Sequence, residues 1–250
     1  MKLFLQRPIG GPEFNVPNIF RGAWAGRKVK DKLHYFMGKP YTIIENGITY
    51  HCPADRYWIM QFASYAQEEI TKEIQKEDGG LFVDVGAGLG KFSIIASRSG
   101  MDVLALEPMK ANYEIVIQNF NENKVVGVAL HCAVFNKDGY YPFYESPHAD
   151  QGSLRERDWI GRKAKDSYLV KSVRLDTLLH DRTPRMVKID VEGSGLEVLE
   201  GMTEILHRGT KVIYEANVPP ELERQKRFLE LHGYRTEQIG ERNFMAVPVV

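Results

Sequence analysis

Leu81-Phe82-Val83-Asp84-Val85-Gly86-Ala87-Gly88-Leu89-Gly90-Lys91-Phe92-Ser93 reads as an apolar strand, a glycine turn and the opening of a helix. Apolar runs of strand length recur downstream, at Val103-Leu104-Ala105-Leu106, Val125-Val126-Gly127-Val128, Met186-Val187-Lys188-Ile189 and Val212-Ile213-Tyr214. They are mostly continuous rather than alternating, as expected of strands buried on both faces of a parallel sheet. Helical stretches separate most of them. Ser194-Gly195-Leu196-Glu197 has the capping-box spacing, with Val198, Leu199, Met202, Ile205 and Leu206 as the buried face behind it. Pro219-Pro220 opens another helix, whose apolar positions are Leu222, Phe228, Leu229 and Leu231, and Gly233 closes it. Tyr234 to Val250 reads as two strands around a turn at Gly240. The pattern predicts an α/β fold with a Rossmann-like, doubly wound sheet and an antiparallel edge.

Upstream, residues to about Lys39 are irregular, punctuated by Pro8, Pro12, Pro17 and several glycines. Tyr41-Thr42-Ile43-Ile44 and Ile48-Thr49-Tyr50 flank Glu45-Asn46-Gly47, a hairpin signal. Phe62, Ala66, Ile70 and Ile74 then recur at four-residue spacing on one helix face, which Gly79-Gly80 ends. This divides the chain into an N-terminal extension over 1–78, expected to cap the acceptor side, and a cofactor-binding domain over 79–250.

The 250 residues suffice for a full core, and the 43% hydrophobic and 26% charged shares are ordinary for a soluble globular protein. Net charge is zero, so no global field points to nucleic acid or a membrane. Two cysteines, Cys52 and Cys132, make neither a four-ligand zinc site nor a disulfide framework. Without a signal h-region or an apolar span, the expected location is the cytoplasm.

A strand, glycines and a helix form a nucleotide-binding arrangement, with the ligand beyond the carboxyl ends of the strands. A dinucleotide fingerprint requires a glycine at position 91, where this chain has Lys91, and the third glycine is Gly90. Asp84 would repel a pyrophosphate but would make a charge-assisted hydrogen bond to the α-ammonium of a methionine moiety. Glu107, at the end of the second strand and followed by Pro108, is placed to accept from ribose hydroxyls. Together these features favour S-adenosylmethionine as the cofactor.

Four segments resemble the FkbM-type family of class I methyltransferases: Val83 to Ser93, Ala105-Leu106-Glu107-Pro108, Val173-Arg174-Leu175-Asp176-Thr177-Leu178-Leu179, and Val187-Lys188-Ile189-Asp190-Val191-Glu192-Gly193. The resemblance covers roughly Ile48 to Val247 and is most specific in the Lys-Ile-Asp-Val-Glu-Gly run. It implies a seven-stranded sheet with one antiparallel strand and methyl transfer from S-adenosylmethionine, commonly to a hydroxyl of a sugar, polyketide or other small metabolite. It places Gly86, Gly88 and Gly90 along the methionine and ribose, Glu107 on the ribose hydroxyls, and Ala133 near the adenine. Ala87, Phe92 and Pro108 lie in the same segments and join Asp84 as candidate cofactor contacts. Where many members carry a Tyr-Glu pair, this chain has Tyr65-Ala66-Gln67-Glu68, which leaves open whether Tyr65 and Glu68 touch the cofactor.

An alcohol acceptor must lose its proton, so a base or a metal ion near it would help. Asp190 and Glu192 follow the fourth core strand and Glu215 ends the fifth. Asp190 is the leading candidate for base or acceptor positioning. Glu192 and Glu215 would orient it or, with it, complete an oxygen-ligand metal site. Lys188 reads as a structural, paired residue, and His131, His148 and His180 have no sequence partners that would make a catalytic base.

Two basic stretches remain. One comprises Arg21, Arg27, Lys28, Lys30, Lys32 and Lys39 with Trp24, Tyr35 and Phe36; the other runs through Arg155, Arg157, Arg162, Lys163, Lys165, Lys171 and Arg174. Either is a solvated face or a site for phosphates and bases. The second follows Gln151-Gly152-Ser153-Leu154, a region that borders the acceptor pocket in the resembling family, and so points to an anionic or polyhydroxyl acceptor. The leading reading is an O-methyltransferase of a sugar, glycan or other small molecule, with no membrane partner. The alternatives are an RNA methyltransferase using the N-terminal basic stretch, a nicotinamide oxidoreductase, and a cofactor-binding module without turnover.

Overall fold

The computed structural model describes residues 4–6, 14–15, 40–53, 68–146, 152–154 and 166–249. In chain order the strands are β1 (Phe4–Gln6), β2 (Phe14–Asn15), β3 (Tyr41–Glu45), β4 (Ile48–Cys52), β5 (Leu81–Val85), β6 (Asp102–Leu106), β7 (Gly127–Leu130), β8 (Ala133–Val134), β9 (Gly139–Glu145), β10 (Gly152–Ser153), β11 (Asp166–Val173), β12 (Met186–Ile189), β13 (Lys211–Glu215), β14 (Tyr234–Gln238) and β15 (Asn243–Pro248). Among the described residues the helices are α1 (Glu68–Gln75), α2 (Lys91–Arg98), α3 (Lys110–Asn123), α4 (Leu175–Leu179), α5 (Gly195–Glu200), α6 (Thr203–His207) and α7 (Pro219–Leu231).

Seven strands form the central sheet in the order β14-β15-β13-β12-β5-β6-β7. Pairings from β13 through β7 are parallel, and β15 runs antiparallel to both β13 and β14, one place in from the edge. The side chains of β5 and β12 are buried on both faces, as their unbroken apolar runs predict. Val83, Val85, Val187 and Ile189 face one core cluster with Val198, Leu199, Ile205 and Leu229 of α5, α6 and α7. Phe82 and Met186 face the other, with Ile94, Val116 and Phe120 of α2 and α3. Asp84 and Lys188 alternate with the first set and so fall on this second face.

Three expectations are corrected. The third strand begins at Gly127 rather than Val125 and lies at the sheet edge, where Val126 and Val128 are 66% and 56% exposed. The Ser194 capping box is not made: its hydroxyl is buried without a hydrogen bond, and the helix breaks after Glu200. Gly201 sits against Phe135, where an added Cβ would come within 2.3 Å of a carbonyl oxygen. Leu231 is 76% exposed rather than part of the buried face of α7.

The hairpin β3–β4 turns at Asn46 and Gly47, whose φ values of 52° and 73° are those a two-residue hairpin favours. It is sewn onto α3. Asn119 Nδ2 donates to the carbonyls of His51 and Leu89 at 3.2 and 2.9 Å, and its Oδ1 accepts from the His51 amide at 2.7 Å. Asn123 repeats the contact on Thr49. In α1, Ile70 and Ile74 are buried, while Phe62 and Ala66 lie outside the described residues. A second sheet, ordered β10-β9-β11-β8, has no counterpart among the strands expected above. It rises from the carboxyl side of the central sheet and brings Phe143 and Ser153 to the site.

Candidate active site

The glycine turn leaves β5 with Gly86, Gly88 and Gly90 all at positive φ (76°, 59° and 80°). The amides of Gly86 and Ala87 donate to the Leu106 carbonyl at 2.9 and 3.2 Å, so the turn folds over the end of β6. A cavity opens there, at the carboxyl ends of the parallel strands. One part of its wall is Gly86, Ala87, Gly88, Phe92, Glu107, Pro108 and Ala133; another is Phe143, Ser153, Leu154, Asp190, Glu192 and Ser194. The turn, the β6 exit and the acidic loop, which the sequence brought forward as separate segments, therefore share one cavity.

Glu107 is buried, and the amides of Gly88 and Met109 donate to its two oxygens at 2.8 and 2.9 Å. Each oxygen keeps a second acceptor position, the requirement for receiving a vicinal diol. Burial drives its pKa up to about 7, against the pull of those two amides. Ala133 and Val134 provide an apolar patch beside it, so the wall fits a nucleoside: a diol acceptor next to an apolar slot.

Two cofactor-side candidates lie behind the wall rather than on it. Asp84 is wholly buried, and its Oδ2 accepts from the Ser93 amide and hydroxyl at 3.1 and 2.7 Å. Its Oδ1 faces Lys188 Nζ at 3.6 Å, which leaves no opening toward a methionine ammonium. Gly90 caps the amino end of α2 with φ 80°, and a Cβ there would come within 3.1 Å of the Phe120 ring, so its backbone conformation and its packing both call for glycine.

On the acidic side, Asp190 and Glu192 line the cavity and Glu215 joins them, with carboxylate oxygens of the three within 4.8 Å of one another. Burial, then Asp190 and Glu192, push the Glu215 pKa up to about 9, which favours its protonated form, hydrogen-bonded to Asp190. Glu192 adopts φ 50°, and its carbonyl accepts from Ser153 Oγ at 3.0 Å, which pins the loop to β10.

Lys188 lines the same cavity as well as being paired: its Nζ lies 3.3 Å from Asp190 Oδ2 and 5.0 Å from the centre of the Phe92 ring. Burial lowers its pKa, but Asp190 and Asp84 outweigh that and leave it raised, a fixed cation. Phe143 and Ser194 carried no sequence signal for the site, whereas Ser153 and Leu154 belong to the segment that the resemblance set beside the acceptor pocket. His131 stacks on Tyr113 and bonds to the Pro108 carbonyl, and exposed His180 pairs with Asp181. Of the second basic stretch, Lys171 is exposed on β11 and Arg174 pairs with Asp176; Arg155, Arg157, Arg162, Lys163 and Lys165 lie outside the described residues. So do the first basic stretch, Tyr65 and His148. Glu68 is described, in the first turn of α1.

The Methyltransferase FkbM domain matches residues 84–236 of this chain. The hexuronic acid methyltransferase AglP of Haloferax volcanii is 29% identical over 151 residues, which are 58% of this chain and 60% of that protein. A tRNA (guanine(37)-N(1))-methyltransferase of Aedes aegypti is 32% identical over 95 residues, 38% of this chain and 16% of that one. The chain thus spans less than two thirds of the length of either relative. Similar solved structures include M. jannaschii TYW2 in complex with AdoMet (TM-score 0.48, 14% identity, 84% of each chain). Another is a precorrin-6y C5,15-methyltransferase from Geobacter metallireducens (TM-score 0.45, 15% identity, 71% of this chain and 84% of that one). Among the described residues no helix is long and apolar enough to cross a membrane.

Proposed function

This chain belongs to the FkbM methyltransferase family, and on that premise we propose that it methylates a hydroxyl of a sugar, glycan or other small metabolite, with S-adenosylmethionine as the donor. The observation that carries the reading is that Asp190 and Glu192 share a cavity with the nucleoside-type wall of Glu107 and Ala133. The AglP resemblance supports a carbohydrate acceptor.

S-adenosylmethionine supplies a methyl group already activated by its sulfonium, so the protein's work is alignment and proton management. Glu107 accepts from the ribose hydroxyls, Ala133 and Val134 flank the adenine, and Gly86 to Gly88 let the main chain approach closely. Asp190 receives or orients the acceptor's hydroxyl proton, and Glu215, itself protonated, steadies Asp190 through their shared hydrogen bond.

The test incubates the chain with S-adenosylmethionine carrying a labelled methyl group and, separately, glucuronic acid, glucose and bulk tRNA. The expected outcome is transfer to a sugar in a base-stable ether linkage. Asp190→Asn should lower turnover by about a hundredfold or more, the usual share of a general base, with S-adenosylhomocysteine affinity retained. A base-labile ester would make a carboxylate the acceptor and remove the need for a base. Transfer to tRNA alone, steeply weakened by salt, would favour the RNA reading.

A further inference from the structure

A continuous polar chain runs beneath the cavity from the cofactor turn to the acidic loop. It begins at Ser93, whose amide and hydroxyl donate to Asp84 Oδ2. Asp84 Oδ1 makes no hydrogen bond and lies 3.6 Å from Lys188 Nζ, and the same ammonium donates to Asp190 Oδ2 at 3.3 Å. Asp84 and Lys188 are register partners on β5 and β12, and Asp190 follows Lys188 by the two residues that return a side chain to the same strand face. The Phe92 ring supports the ammonium from below.

One carboxylate would suffice to neutralise a buried lysine, and an apolar pair of the same volume would cost the fold no more. The shorter contact, and the one with hydrogen-bond geometry, goes to Asp190 at the cavity wall rather than to Asp84 in the core. We infer that Lys188 is a positioning residue: braced by Asp84 and Phe92, its ammonium fixes the Asp190 carboxylate at the point from which the methyl group departs. The inference rests on the reading of Asp190 given above.

The test needs no acceptor. Sinefungin carries an amine where S-adenosylmethionine carries its transferable methyl group, so its affinity relative to S-adenosylhomocysteine reports whether a carboxylate faces that point. Asp84→Asn with Lys188→Met removes both buried charges together, leaving neither unpaired and the net charge unchanged. Calorimetric titration should show the wild type preferring sinefungin by tenfold or more. That preference should fall at least fivefold in the double variant and in Asp190→Asn, and fall no further in the triple variant. S-adenosylhomocysteine affinity should stay within threefold throughout. A double variant that keeps the wild-type preference while Asp190→Asn loses it overturns the role of Lys188 and leaves that of Asp190 standing. An Asp190→Asn variant that keeps the preference overturns the reading of Asp190 and the inference with it. Loss of both affinities in the double variant would make the pair a scaffold only, against the inference.

Discussion

A Cβ built on Gly86 would lie 1.9 Å from the main-chain oxygen of Asp190, so the first glycine of the turn and the first acid of the acidic loop meet backbone to backbone. Gly86 also holds φ 76°, which L side chains rarely adopt. The turn and the loop are therefore one packed unit, and the spacing between cofactor wall and acid is set by main chain rather than by rotamers.

Gly86→Ala should accordingly destabilise the fold by at least about 2 kcal/mol, from backbone strain and the forced separation of the two loops. Gly100→Ala is the control, because Gly100 has a similar φ of 86° with open space around it. It should cost about 1 kcal/mol. Urea unfolding of the two variants measures the difference. Equal losses would mean the Asp190 contact contributes nothing.

The central sheet was legible because its strands are apolar on both faces and its turns carry glycine at positive φ, both properties of short segments. The edge strand was misplaced because Val125 and Val126 extend its apolar run: Val125 packs against the core just ahead of the strand, while Val126 and Val128 are exposed by their place at the sheet edge beside β6. The second sheet was invisible for a related reason. Its residues alternate irregularly, and Phe143 is placed by Gly152, where a Cβ would come within 2.2 Å of its ring. Asp84 was assigned to the ligand because an acid before a glycine turn reads the same whether it faces a cavity or a buried lysine on the next strand. That lysine is over a hundred residues away in sequence, beyond the reach of any local pattern.

Asn119 shows the same limit and carries its own prediction. It is wholly buried and joins the hairpin at His51 to the glycine turn at Leu89. Asn119→Ala takes the partner from the carbonyls of His51 and Leu89 and from the His51 amide, a loss of about 2–4 kcal/mol. It should also weaken S-adenosylhomocysteine binding, because Leu89 belongs to the turn. Asn123→Ala, whose contacts reach Thr49 but not the turn, should lower stability without changing that affinity. Thermal unfolding and titration calorimetry on both variants separate the effects.

Glu107 should make cofactor binding pH-dependent. Burial raises its pKa to about 7 in the chain without cofactor, and only the ionised form presents every acceptor to the ribose hydroxyls. Binding the ionised form lowers that pKa, so affinity is level above about pH 7 and falls as the pH drops below it, by at most about tenfold per unit for one proton. Stability runs the other way: a raised carboxyl pKa contributes fully below the ordinary carboxylate range and is lost as the pH climbs through about 7. Calorimetric titration with S-adenosylhomocysteine from pH 5.5 to 8.5 should show the slope, and Glu107→Gln should abolish it. A flat wild-type profile would remove Glu107 from the ribose.

The acidic trio offers the oxygen spacing a hard divalent cation uses, yet its chemistry at neutral pH works against one. Lys188 Nζ already sits 3.3 Å from Asp190 Oδ2, and Glu215 keeps its proton up to about pH 9. A cation taking those oxygens must displace the proton and sit beside a fixed ammonium, two opposing electrostatic terms in a partly buried site. Titrated at pH 7, Mn²⁺ alone should therefore bind weakly, with Kd in the millimolar range or above, and turnover should survive dialysis against EDTA. Binding should tighten as the pH rises toward 9 and Glu215 ionises, and also in Lys188→Met at pH 7. Tight binding by the wild type at pH 7, with proton release on titration, would mean that the metal displaces the Glu215 proton and that Lys188 does not guard the site.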